Sequence, residues 1–408
     1  MAQKIKKIAV VAAAATVMAT SAQAGGFSRG TADTAILYEE GNFVTRFGAS
    51  YVAPSRDIST LGGAPVSLLS GGTASSFDDT ADYLVPSAAI KLQATENVSC
   101  AGTLSQAFGA SSDYSASPFA PAALNPLGIT SGTDTDALST TSQKFTAHEA
   151  ALTCRYAFDL GPGQFSVIGG GFMQYLDYEQ IVVGGLYDFS LSDIEPGYRL
   201  GVAYEVPEIA LRAELLYRSS VEISATGTFT QISPAAALVP NVSENPDATG
   251  DGRFPQSLEL KLQSGVAPGW LVFGSVKWTD WSVFETLNYF GNASSGPATL
   301  DFFYKDGWTV SGGVGHQINE QFAVSGSVTW DRGVGTGWDL NGADVWTLAA
   351  GGSWKPTETT ELRAGLAYSL IGGSTQFADN TGTFLATPWK VSDGGSAVAG
   401  GLSFKAAF

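Results

Sequence analysis

Beyond Ala24 the chain has no uninterrupted apolar run of roughly 18 or more residues, which excludes ordinary transmembrane helices. Sulfur and imidazole are scarce, with 2 Cys, 3 Met and 2 His in 408 residues. So few cysteines exclude a disulfide-dense scaffold. The two histidines, His148 and His316, come with no Gly-x-Ser-x-Gly element, so a hydrolase triad is not expected, and no cofactor motif or metal-ligand set stands out. Positive charge is also scarce: 21 Lys and Arg against 38 Asp and Glu leave a net charge of -17, which argues against nucleic acid as a partner. Asn245-Pro246-Asp247-Ala248-Thr249-Gly250-Asp251 begins like a calcium loop, but Gln256 stands where a bidentate Glu is needed, so it reads as a solvated acidic turn. What is plentiful is 49 Gly, 23 Phe, 14 Tyr and 9 Trp, a vocabulary of strands and turns.

Residues 1–24 have a basic start (Lys4, Lys6, Lys7), an apolar stretch from Ile8 to Val17 and a small-residue Ala22-Gln23-Ala24 ending. This is the pattern of a secretory signal, removed on export. Discounting its three lysines takes the net charge to about -20. An exported chain without spanning helices reaches lipid only as a closed barrel, because every backbone polar group inside a bilayer must be paired.

Period-two alternation supports that reading. At the end of the chain Val398, Gly400, Leu402, Phe404, Ala406 and Phe408 share one face, and Ala397, Ala399, Gly401, Ser403, Lys405 and Ala407 share the other. Leu362 to Leu370 and Phe322 to Trp330 repeat the pattern. Strands are expected near 42–58, 82–94, 98–108, 143–158, 164–183, 195–207, 209–230, 254–267, 269–290, 301–316, 321–333, 343–355, 361–374 and 393–408. Short turns alternate with long connections, as periplasmic turns alternate with extracellular loops. The expected fold is all-β, a 14-stranded antiparallel transmembrane β-barrel over 42–408, with a short N-terminal plug at 25–41.

The stretches DIEPGYRLGVAYEVPEIALRAELLYRSSVEISATGTF and FPQSLELKLQSGVAPGWLVFGSVKWTDWSVFETLNYF resemble the FadL family of outer-membrane transporters for long-chain fatty acids and other hydrophobic compounds. The resemblance runs on through DGWTVSGGVGHQINEQFAVSGSVTWDRG to GGLSFKAAF, covering most of 193–408, and GNFVTRFGASYVAPSRDIS looks like the family's first strand. It implies a monomeric 14-stranded barrel in the bacterial outer membrane, closed by an N-terminal hatch, that takes a hydrophobic small molecule from extracellular loops to an apolar pocket and releases it passively, by a sideways route if the wall has a gap. Outer-membrane lipid, lipopolysaccharide and the barrel-assembly machinery, which reads a terminal aromatic such as Phe408, are the implied partners. The family's hatch ends in an Asn-Pro-Ala element; GGFSRGTADTAILYEEGN contains none, so the hatch here is shortened.

Several groups are candidates for the site. The connection at 109–142 is unusually apolar, with Tyr114, Phe119, Leu124, Leu127 and Ile129 following Phe108; it is either a capture groove or a loop folded onto its neighbours. Alternation turns Arg155, Arg199, Arg212 and Arg218 inward, either to bind a fatty carboxylate or to pair with carboxylates of the wall. Trp278, Trp281, Phe284, Tyr289 and Phe290 suit an interfacial girdle, with a pocket lining as the alternative. Cys100 and Cys154 fall on neighbouring antiparallel strands, as a cross-strand disulfide or as two packed thiols. A general diffusion porin for small polar solutes is the rival function.

Overall fold

The computed structural model describes residues 26–69, 71–72, 74–114, 140–182, 187–232, 242–290, 297–379 and 383–408, so the expected export signal lies outside the described residues. Fourteen staves follow in chain order: β1 Phe43–Leu61, β2 Tyr83–Gln93, β3 Val98–Asp113, β4 Thr140–Leu160, β5 Gly163–Val182 and β6 Tyr187–Val206. Next come β7 (Leu211–Arg218, continued by Val221–Ile232), β8 (Val242–Phe254, continued by Ser257–Ala267), β9 (Trp270–Thr279, continued by Thr286–Phe290) and β10 (Pro297–Asp301, continued by Gly307–Gln317). The wall ends with β11 Phe322–Arg332, β12 Val345–Trp354, β13 Thr360–Ile371 and β14 Lys390–Ala407. Each stave pairs antiparallel with the next, and β14 pairs with β1 from Val44↔Ala407 to Leu61↔Lys390, closing the barrel.

The alternation of the sequence is the alternation of the wall. Leu152, Leu366 and Leu402 are each more than 60% exposed, while Ala151, Ala367 and Ser403 beside them are buried. Large apolar side chains exposed on every second residue around a closed sheet suit lipid, not water. Exposed Tyr156, Trp270, Phe322, Trp354 and Phe408 ring the end with short turns, and exposed Tyr51, Tyr198, Trp308 and Trp346 ring the other, as amphipathic aromatics do at the two interfaces. Cys100 and Cys154 sit directly opposite each other on β3 and β4 and are joined by a disulfide.

The structure corrects several sequence expectations here, and the strands expected over 209–230 and 301–316 are broken, at 219–220 and 302–306. Asn245 to Asp251 is not a turn: it lies in β8, with Phe229↔Asn245, Thr226↔Thr249 and Ser224↔Asp251 in register with β7. Nor is 269–290 one continuous strand, because β9 breaks after Thr279 into a 3-10 turn at Trp281–Val283. The breaks of β7, β8, β9 and β10 adjoin one another around the wall, and above them the lumen takes in large side chains.

The ladder is interrupted in two places. Between β2 and β3 it runs only from Ala88↔Leu104 to Gln93↔Ser99, so Ser105 onward has no β2 partner until Thr80 meets Ser112. Between β6 and β7 it runs from Arg199↔Arg218 to Val206↔Leu211 and resumes at Ser192↔Thr226. Pro196, which has no N–H to give, sits in the second interruption. Side chains replace backbone there: Ser224 N–H donates to Asp193 Oδ2 at 2.8 Å and Tyr198 N–H to Ser219 Oγ at 2.9 Å.

Candidate functional site

Above the strand breaks the lumen is lined by aromatic rings, and the plug supplies the ring at their centre. Phe27 is 4% exposed. Its ring centroid lies 5.1 Å from that of Phe145 on β4, 5.6 and 6.0 Å from Phe284 and Trp281 in the β9 break, and 5.8 and 5.9 Å from Phe302 and Tyr304 in the β10 break. Most are edge-on or tilted contacts, the arrangement favoured by aromatic quadrupoles. Gly26 makes the approach possible: it holds φ +71, and a Cβ there would fall 2.7 Å from the Trp281 ring. Phe108 stacks on Phe254 at 4.7 Å, and Phe172, Val221 and Ile223 complete the apolar lining.

The tip carrying Phe27 is fastened where β3 lacks its β2 partner. Ser28 bridges Phe108, Arg29 N–H donates to Ala107 O at 3.0 Å, and Gly109 N–H donates to Phe27 O at 2.9 Å. Arg29 Nε donates to Gly109 O at 2.7 Å while its guanidinium lies 3.2 Å from the centre of the Tyr83 ring on β2. One plug residue thus spans the interruption, touching both strands that flank it. Its cation over an aromatic face, away from water, is a favourable contact.

Beneath the rings lies a layer of charge. Glu149 accepts from Arg199 and from Arg218, at 3.0 Å in the second case, and Arg218 also reaches Gln174. Arg218 lies 4.4 Å over Phe172 and 5.2 Å over Phe108, so this layer is the floor of the ring-lined box. A cavity of about 50 Å³ borders it, lined by Glu149, Arg218, Glu259, Lys261 and Lys277 together with Ala107, Phe108 and Leu216, and large enough for only a few waters.

The base of the plug is held at the short-turn end by a second cluster. Ile36 and Leu37 are fully buried, Tyr38 Oη donates to Glu214 at 2.6 Å, and the Tyr38 ring lies between Arg155 at 4.6 Å and Arg212 at 4.4 Å. Glu39 pairs with Arg46 and with Lys405 at 2.8 Å, and Lys405 also holds Glu361 at 2.9 Å. The plug is therefore bound by charge at its base and by rings and strand-like hydrogen bonds at its tip.

Phe108 lies within β3 and inside the box, not in a loop. Tyr114 lies outside the box, near Lys390 and against buried Ile58, Leu61, Val66, Phe77 and Leu340. Phe119, Leu124, Leu127 and Ile129 lie outside the described residues. All four arginines face the lumen and each has a partner: Arg155 with Glu205, Arg199 and Arg218 with Glu149, Arg212 with Gln263. Trp281 and Phe284 are buried in the box, which corrects the girdle reading for them: Trp281 shares the inward parity of buried Leu271 and Thr279, and the break at Asp280 brings Phe284 in beside it, whereas Trp278 has the opposite parity and donates to Asp306 at 3.0 Å. The sequence reading missed Phe27, although Gly25-Gly26-Phe27, a lone aromatic after two glycines, was its signal.

Comparison with known proteins gives consistent findings. The profile of a family described as outer membrane protein transport protein (OMPP1/FadL/TodX) matches residues 185–408. A long-chain fatty acid transport protein of Salmonella typhi is 24% identical over 236 residues, 52% of this chain and 49% of that protein, so the match spans about half the length of that relative. Among solved structures, a Pseudomonas aeruginosa FadL homologue superposes with a TM-score of 0.67 at 11% identity, covering 90% of each chain. The P. putida toluene transporter TodX gives 0.61 at 12% identity over 91% of this chain and 92% of its own. The Ralstonia pickettii toluene transporter TbuX gives 0.57 at 13% identity, with 91% and 90% covered.

Proposed function

This chain belongs to the OMPP1/FadL/TodX family of outer membrane transport proteins, and from that premise we propose that it passes hydrophobic molecules, fatty acids or aromatic hydrocarbons, passively across the outer membrane. The observation that carries the reading is Phe27. A ring of the protein's own plug fills an aromatic box and is tethered, two residues on, across an interruption in the wall.

A ligand that takes the place of Phe27 removes the tip from the box and, through Ser28 and Arg29, from the edge of β3. The route that opens leads sideways between β2 and β3. The alternative route, straight down the lumen, crosses the Glu149 layer and the charged clamp around Glu39, where an apolar molecule would strip water and partners from ions. Sideways release into lipid avoids that cost. A fatty carboxylate would turn toward Arg199 and Arg218 at the floor of the box and share them with Glu149. Phe119, Leu124, Leu127 and Ile129 retain the role of a capture loop in this proposal. The exposed apolar belt contacts lipid and lipopolysaccharide, the barrel-assembly machinery inserts the wall, and the barrel works as a monomer.

The test is uptake by cells whose own hydrophobic routes are removed. Cells carrying this chain are expected to accumulate labelled toluene or oleate several-fold faster than empty cells, with no gain for a sugar of similar mass. Faster sugar entry with unchanged toluene and oleate uptake would favour the porin instead.

A further inference from the structure

Among the described residues the wall keeps most of its arginines inside, and only Arg253 and Arg332 are exposed on it. Arg253, on β8, is paired with Glu222. Arg332, the last residue of β11, has no ion pair among the described residues. It stands directly across from Trp308 on β10, which is 40% exposed, and Trp308 stands across from Trp278 on β9. One pleat lower, Trp330 faces Trp346 on β12, with ring centroids 6.2 Å apart. Four adjacent staves thus carry one row of indoles on the outer face, roughly 15 Å wide at ordinary strand spacing, with a single guanidinium at its upper edge.

The row marks a level in the membrane. Trp308 and Trp346 belong to the exposed aromatics at the long-loop end, the level of the outer-leaflet headgroups. Below them Val310, Val328 and Leu348 are exposed on the same face, where acyl chains lie. The neighbouring carboxylates are already in use. Asp344, just before β12, accepts Gly333 N–H at 2.6 Å, and Asp306 accepts Trp278 Nε1–H at 3.0 Å. Neither closes an ion pair with Arg332, which leaves its fork of N–H donors to an oxyanion from outside the protein.

We infer that Arg332, with Trp278, Trp308, Trp330 and Trp346, forms a binding site for the phosphorylated glycolipid of the outer leaflet, the lipid A headgroup of lipopolysaccharide. This rests on the barrel's place in the outer membrane and not on what the barrel transports. Each part of such a lipid meets matching chemistry. A phosphate takes two parallel N–H···O contacts from a guanidinium, the C–H faces of sugar rings pack on indoles, and the acyl chains cover Val310, Val328 and Leu348. An ordinary phospholipid brings a phosphate and chains but no ring for the indoles. The site also adjoins the box. Val334, two residues beyond Arg332, is buried among the box residues, and its carbonyl accepts Lys305 N–H from the β10 break at 3.0 Å. A lipid held at Arg332 therefore braces the segment that carries Phe302 and Tyr304.

The parent barrel gives the first test. Purified and placed in phosphatidylcholine nanodiscs, it is titrated with lipid A, with the same lipid A stripped of its phosphates, and with phosphatidylglycerol, and bound lipid is counted by native mass spectrometry. Lipid A is expected to bind about tenfold more tightly than either comparison lipid. Arg332→Gln, checked for heat-modifiable migration as a folded barrel, should lose that preference. Arg332→Lys should keep part of it, and Arg253→Gln should leave it unchanged. Equal binding of lipid A with and without its phosphates, or an undiminished preference in Arg332→Gln, would overturn the site. Phosphatidylglycerol binding as tightly as lipid A, or displacement of lipid A by excess inorganic phosphate, would overturn the glycolipid assignment in favour of anionic lipid in general or of free phosphate. If Arg332→Gln does not fold, the comparison of lipids on the parent decides. None of these outcomes measures uptake, so a failure of the transport reading leaves them standing.

Discussion

Phe27 and Asp339 are the two residues whose chemistry most directly sets the state of the box. Replacing buried Phe27 by Ala removes a contact of the kind that costs about 3–5 kcal/mol. That loss falls on the tip, because the base is held separately by Glu39 and Tyr38. Gly109 N–H, which donates to Phe27 O, should then exchange with solvent about a hundredfold faster in Phe27→Ala, read by hydrogen exchange on a peptide spanning β3. Unchanged exchange would mean that the ring does not hold the tip. Asp339, in the connection between β11 and β12, accepts from Tyr304 Oη at 2.8 Å and Asn341 Nδ2 at 3.0 Å, so it supports a wall of the box. Burial raises its pKa to about 6. A folded value above the unfolded one, about 4, means that the native state takes up the proton first. The contribution is full below about pH 4 and is lost as pH rises through about 6, a change on the order of 1–3 kcal/mol. Opening of 333–344, followed by hydrogen exchange corrected for intrinsic rates, should therefore be greater at pH 7.5 than at pH 5. Asp339→Asn should flatten the difference, and an equal difference in the variant would rule out Asp339 as its source.

At the scale of elements, β3 is the strand with divided loyalties. It pairs with β4 along nearly its whole length, from Val98↔Tyr156 to Asp113↔Ser142, but with β2 over only its first third. The Cys100–Cys154 disulfide adds a covalent tie on the side that stays paired. Closing a span of 54 residues restricts the unfolded chain by about 4 kcal/mol in the loop-entropy account. The Cys100→Ala/Cys154→Ala barrel should still fold, with a lower urea midpoint by tryptophan fluorescence; an identical midpoint would show that the tie adds nothing. This is also the scale at which the sequence was most and least legible. Alternation located the staves because lipid and lumen demand opposite side chains at Leu402 and Ser403, or Leu366 and Ala367. The signal fades where strands leave the bilayer, since both faces then meet similar surroundings, and so β8 was read as a turn at Asn245–Asp251. The box was hidden for a different reason. Trp281 and Phe284 continue the composition of Trp278, although Trp281 has the inward parity of Thr279, and only Phe284 needs the break at Asp280 to turn inward. The arginines were correctly assigned to the inner face, but no spacing tells that Arg199 meets Glu149, fifty residues away on another strand.

The whole molecule is a stack of layers inside a greasy cylinder: rings at the long-loop end, the Glu149 charge layer beneath them, and the plug base clamped by a second set of ions at the other end. Among the described residues the plug and charge layers fill the lumen around a cavity of about 50 Å³, so planar-bilayer recordings should give currents close to the bare membrane. Large steady currents would contradict a filled lumen. The central claim is that the plug tip is the gate and that its separation from β3 opens the way. Ser28 and Phe108 face each other as an antiparallel pair, so the Ser28→Cys/Phe108→Cys variant can be locked by oxidation and released by reduction, with each single variant and the reduced parent as controls. Uptake of labelled toluene or oleate by the same cells before and after reduction is the measurement. The account predicts background uptake when the tip is locked and recovery when it is freed; uptake that is equally fast in the locked barrel would contradict it.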